Sequence, residues 1–184
     1  GGIPAMSLAL AAEIFFRLPP NLIGSRVLGA ARLGLIAPLL QESLKGIAVL
    51  YIALRYRHEF DNVLDGIVYG AVIGFGFAMT GNLISHMSAF ALRGFEALSV
   101  PALVKGLLDG LNHGFYTAIF GAGLGFGRLA QERWRRWAWP LVGFLLAVTA
   151  HSLHNLLAWS LLGVDAVTMV TTTAGIILIG LVAG

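Results

Sequence analysis

"LLQESLKGIAVL", residues 39–50, sets a glutamine, a glutamate and a lysine inside an otherwise apolar run. At about 100° per residue on a helix, Gln41, Glu42 and Lys45 share one arc of about 100°. An isolated charge at mid-bilayer costs about 2.5 kcal/mol or more, so such side chains face protein or water and avoid lipid. Whether this stretch crosses a membrane decides the fold. Whether its polar face lines a hydrated cleft decides the chemistry.

The surrounding composition answers the first question. The chain has 184 residues, 58% hydrophobic and 11% charged, with a mean hydropathy of +0.84. Soluble domains carry about 45–50% apolar and about 25% charged residues, so this is an integral membrane protein. Apolar runs bounded by charge, proline or glycine predict an all-α, polytopic transmembrane helix bundle, a single membrane domain over 1–184. Five spans are expected, at 34–54, 63–86, 104–127, 138–161 and 165–183. A short N-terminal helical run at 3–16 and an interfacial segment at 21–33 precede them. Among the 24 glycines, Gly66, Gly70, Gly74 and Gly81 fall with Phe77 on one stripe, a face suited to close helix packing.

The net charge of +3 comes mainly from arginines flanking these runs, which signals topology and gives no reason to expect nucleic acid. Without cysteine the chain has neither disulfides nor thiolate metal sites. The loops holding Arg55 and Arg57, and Arg128, Arg133, Arg135 and Arg136, alternate with loops poor in basic residues. The positive-inside rule places the basic loops in the cytoplasm, although Arg17, Arg26 and Arg32 fall on the other side. With that orientation Gln41 lies roughly 10 Å below the outer end of its span, counting 1.5 Å per residue. His113, His151, Asn155, Gly81 and Asn82 come from three other spans at similar depth. Polar residues of four helices thus gather in the outer half of the bilayer.

Each of these residues has a plainer reading. Glu42 and Lys45 also suit a structural ion pair, and a lone histidine in a helix is usually a satisfied core residue. Asp61 and Asp65 read as helix-start residues. His58 and His86, near span ends, are expected to be solvated. His151 and Asn155 are spaced i,i+4 and can reach a common ligand.

Taken in order, "QESLK" (41–45), "FAMTGN" (77–82), "NHGFYTA" (112–118) and "HSLHN" (151–155) resemble the PrsW family of bacterial intramembrane proteases. That family is related to CAAX prenyl proteases and bacteriocin-immunity-type membrane proteins. Its pattern is EExxK, FxxxE, a histidine, then HxxxN or HxxxD. The stretch "EFDNVLDGIVYGAVIGFGFA" (59–78) is also similar to the family, and the resemblance covers about 34–161, a protease-like core. It implies an endopeptidase of the bacterial inner membrane that cuts membrane-anchored proteins, in some relatives anti-sigma factors, with glutamate-activated water and no cofactor. Gln41, Glu42, Lys45, Gly81, His113, His151 and Asn155 are then the site.

In an active relative, glutamates at positions 41 and 81 would deprotonate and orient the water. His151 and Asn155 would donate to the oxyanion, and His113 would assist either step. Lys45 would hold the acids electrostatically. Here Gln41 cannot accept a proton near neutral pH and Gly81 has no side chain. The resemblance therefore implies an inactive variant, engineered or natural, that binds more readily than it cuts. Two other readings stand beside it. One is a zinc metalloprotease with His113, His151 and either His154 or Glu42 as ligands, although no HExxH pair is present. The other is a non-catalytic scaffold or peptide-binding protein using the same cleft.

Overall fold

The computed structural model describes residues 32–160. The expected run at 3–16, nearly all of the interfacial segment at 21–33 and the span at 165–183 lie outside the described residues. Four helices follow a π-helical turn at Arg32–Ile36: α1 (Ala37–Arg55), α2 (Val63–Arg93), α3 (Val100–Leu129) and α4 (Arg135–Ser160). A 3-10 turn at Gly94–Leu98 links α2 to α3, and no strand occurs among the described residues. The all-α expectation holds.

Local sequence explains the boundaries. Pro38 sits in the first turn of α1, where its missing N–H costs nothing. At the start of α2, Asn62 accepts from the Asp65 backbone N–H, and the Asp65 carboxylate accepts from the Asn62 and Asp61 backbone N–H groups. That capping box confirms Asp65 as a helix-start residue. Gly94 ends α2 with φ of 64°, a conformation that disfavours other residues.

Of the five expected spans, the one at 165–183 lies outside the described residues, and the other four fall on α1 to α4. Among the described residues, three helices are long and apolar enough to cross a membrane, at Gly34–Arg55, Val63–Leu98 and Arg135–Leu157. The run expected at 104–127 does form α3, but it does not reach that apolarity. The reason is physical. α3 is the central helix, packed against α2 and α4 along most of its length, and Asn112, His113, Tyr116 and Thr117 face its neighbours. A helix whose middle is enclosed by protein needs less of a lipid-facing apolar belt there.

Glycines set the close approach of α2 and α3. A Cβ on Gly66 would overlap the Gly121 carbonyl, and one on Gly121 would overlap that of Gly66. Gly70 meets the Thr117 carbonyl and Gly74 the His113 carbonyl in the same way. The stripe read from the sequence is therefore the α2–α3 seam, and the two helices run antiparallel along it. α3 meets α4 through Gly123 and Gly143, whose Cα atoms would each lie 3.0 Å from a Cβ added to the other. α1 leans on both, with the Phe120 ring packed over Gly46.

The apolar core of Val49, Phe60, Phe120, Leu124 and Ala147 closes the bundle toward the α1–α2 loop. Toward the other end, Asn82 Nδ2 donates to the Gly106 carbonyl at 2.7 Å. There His86 corrects the expectation of a solvated residue. It is half-buried, with Nδ1 2.6 Å from the Asn82 carbonyl and Nε2 3.3 Å from that of Ala102, so it ties α2 to α3. His58 is exposed.

Candidate active site

Glu42 and Lys45 are one turn apart on α1 and point inward, with 2% and 0% of their surfaces exposed. Lys45 Nζ lies 2.5 Å from Glu42 Oε1. Desolvating two ions costs several kcal/mol each, and their attraction offsets this only when other hydrogen bonds complete both groups. Three such partners are present. His151 Nδ1 lies 2.8 Å from the same Oε1, Thr117 Oγ1 shares its one proton between Oε2 at 3.3 Å and the His113 carbonyl at 3.0 Å, and Lys45 Nζ lies 3.1 Å from His113 Nδ1. The Phe77 ring centroid is 5.5 Å from Nζ, within cation–π range.

These contacts assign the imidazole protons. An ammonium only donates and a carboxylate only accepts. His113 Nδ1 must then be the acceptor for Lys45, so its proton sits on Nε2. His151 must donate from Nδ1 to Glu42, which leaves its Nε2 with a lone pair. Packing holds both rings. His151 stacks on Tyr116 with centroids 4.8 Å apart and planes at 14°, and meets His113 edge-on at 4.8 Å and 89°. The backbone of His113 and Thr117 is set in turn by Gly74 and Gly70, so the glycine seam fixes the height of the site.

Of the residues singled out from sequence, the structure brings Glu42, Lys45, His113 and His151 into one cluster from three helices. Gln41 is half-buried beside Glu42, and Asn155 is half-buried one turn beyond His151. Gly81 is half-buried on α2, one turn beyond Phe77. His154 is buried, its ring 6.1 Å from that of Tyr116. Sequence reasoning passed over Thr117 and Tyr116. Their signal lay in "NHGFYTA", where Thr117 falls at i+4 and Tyr116 at i+3 from His113, the same side of the helix.

The cluster also has the donors of a metal centre. One ligand atom each from Glu42, His113 and His151 lie within 4.8 Å of one another. Two histidines and a glutamate are a familiar donor set for catalytic zinc. His154 is not part of that group. Lys45 Nζ lies against two of the three donors, so a metal held there would displace the ammonium. Nearby, an apolar groove of about 640 Å³ opens between α2 and the start of α3, lined by Met79, Leu83, Met87, Phe95 and Leu103, with Asn82 at its wall.

Comparison with known proteins agrees with the motifs. The family described as "PrsW family intramembrane metalloprotease" matches residues 1–182. The chain is 32% identical to the protein named Protease PrsW of Geobacillus kaustophilus (strain HTA426) over 134 residues, 72% of this chain and 53% of that protein. It is 32% identical over 123 residues to Protease PrsW of Halalkalibacterium halodurans, covering 65% of this chain and 52% of that one. The corresponding protein of Bacillus subtilis (strain 168) is 30% identical over 122 residues, covering 66% and 51%. The chain spans about half the length of the curated relatives it matches. No solved structure matches it.

Proposed function

The chain belongs to the PrsW family of intramembrane metalloproteases, and from that premise we propose that it hydrolyses peptide bonds of membrane-anchored proteins at the Glu42–His151 pair. The observation that carries this reading is the 2.8 Å bond between His151 Nδ1 and Glu42 Oε1, buried among helices that are otherwise apolar. A glutamate behind a histidine sets the tautomer that leaves Nε2 able to take a proton from water, the logic of a carboxylate-backed general base. Lys45 supplies the charge that keeps the carboxylate compensated, and Thr117 fixes its second oxygen. Asn155, on the same helix as His151, is the amide suited to the developing oxyanion. The apolar groove suits an unwound stretch of a membrane-spanning substrate. Charge alternation of the loops supports a multi-pass arrangement in a bacterial inner membrane with the site in the outer half.

On this reading Gln41 and Gly81 slow the chain without silencing it, because Glu42 is the carboxylate in contact with a histidine. The test is cleavage of a single-span reporter by purified protein, with Glu42→Gln as comparison. Cleavage that persists in Glu42→Gln, or is absent from the unchanged protein across several reporters, removes the proposal and favours a peptide-binding role.

A second reading is zinc hydrolysis, favoured by the convergence of Glu42, His113 and His151 donors. The donor set fits, and those three would hold the ion. When bound, the metal supplies a water of lowered pKa and a Lewis acid. The chain's own contribution would then be the orientation of the two imidazoles by Tyr116 and Thr117's hold on Glu42. Zinc content of the purified protein separates the two readings.

A further inference from the structure

The buried cluster has one connection that hydrolysis as described does not use. Asp109 lies one turn before His113 on α3, and its Oδ1 is 3.7 Å from His113 Nε2. That is the nitrogen to which the Lys45 contact assigns the proton. Asp109, His113, Lys45, Glu42 and His151 therefore form a chain of charged and polar groups crossing three helices, with steps of 3.7, 3.1, 2.5 and 2.8 Å. Its members differ in access. The Glu42, Lys45 and His151 side chains are 4% exposed or less and that of His113 is 12% exposed, whereas that of Asp109 is 40% exposed.

We infer that Asp109 is a positioning residue for the hydrolytic site: it holds the His113 proton on Nε2 and keeps Nδ1 an acceptor for Lys45. The inference rests on the proposed hydrolytic reading for its link to rate, and on geometry alone for its link to His113. The contact is an electrostatic one at this distance, since 3.7 Å exceeds a hydrogen bond. It acts because a carboxylate facing Nε2 favours an N–H there and disfavours a lone pair. α2 is tied to the same turn of α3. Asn82 Nδ2 donates to the Gly106 carbonyl at 2.7 Å, three residues before Asp109. With the tautomer reversed, His113 would present an N–H to the Lys45 ammonium, two donors facing each other. Lys45 would then lose its second partner and the Glu42 pair would shift.

The bland alternative is that Asp109 serves only a surface pair with Lys105, one turn earlier on α3. Three variants separate the two: Asp109→Asn, Asp109→Glu and Lys105→Ala. Imidazole ¹⁵N signals of detergent-solubilised protein, with His113 assigned by substitution, report the tautomer. Reporter kinetics report kcat and KM. Asp109→Asn is expected to change the His113 ¹⁵N pattern and lower kcat by about tenfold to a hundredfold, the range found for carboxylates that orient metal-ligating histidines, with KM within about twofold. Asp109→Glu restores part of both, and Lys105→Ala leaves both as in the parent. An unchanged His113 pattern in Asp109→Asn overturns the inference, as does an equal effect from Lys105→Ala. If the parent does not cleave at all, the hydrolytic proposal fails by itself, and the ¹⁵N comparison still decides the positioning role.

Discussion

His151 Nδ1 and Glu42 Oε1 sit 2.8 Å apart although 109 residues separate them in the chain. The same oxygen takes Lys45 at 2.5 Å, so one buried atom joins α1 to α4 and anchors the charge of the site. Removing that carboxylate alone, and removing it together with its lysine partner, should have different consequences.

Glu42→Gln should abolish reporter cleavage and also destabilise the fold, because it leaves the Lys45 ammonium buried without its counter-charge. Breaking a buried pair from one side costs about 3–5 kcal/mol. Replacing both partners, as Glu42→Gln with Lys45→Met, should recover most of the thermal stability in detergent while activity stays lost. Equal stability of the single and double variants would mean that the pair is not a coupled unit.

Glycine substitutions along α2 should divide sharply. Gly74→Ala drives a methyl into the His113 carbonyl, so the helices must part and His113 must move. Overpacking of this kind costs about 1–3 kcal/mol, and cleavage should fall with it. Gly76→Ala, two residues later, meets nothing within 4 Å and should leave activity intact, with a helix gain of up to about 1 kcal/mol. Melting curves and reporter rates on the two variants provide the comparison.

These contrasts show what was legible in the sequence. The stripe of Gly66, Gly70 and Gly74 at a four-residue period announced a close seam, and Glu42 with Lys45 in an apolar run announced a polar interior. Helical spacing alone determines both. The choice between Gln41 and Glu42 was not legible, because adjacent residues differ by about 100° in direction and only the packed position of α1 decides which one meets α4. Thr117 and Tyr116 were hidden for a similar reason: a threonine or tyrosine in an apolar helix carries no charge to flag it. The central position of α3 was not legible, because which helix its neighbours enclose cannot be read from hydropathy alone.

Restoring acids at the two divergent positions should raise the rate. Gln41→Glu with Gly81→Glu is expected to increase kcat by about a hundredfold, the lower end of what positioned acid–base groups contribute. Single-turnover cleavage of the reporter measures it. A double variant no faster than the parent would mean that Glu42 and His151 already supply the available base.

Metal removal offers the fourth check. With Lys45 bonded to Glu42 and His113, purified protein should carry well under one zinc per chain and keep its cleavage rate after chelation. A full equivalent of zinc, lost in His113→Ala and His151→Ala, would establish the second reading.

The ammonium of Lys45 has a consequence for how such a centre is provisioned. A positive charge encoded in the polypeptide arrives with every molecule made, in fixed ratio, and neither starvation nor a scavenger can strip it away. An enzyme built around it would be ready as soon as its helices assemble, whatever ions the cell has to spare.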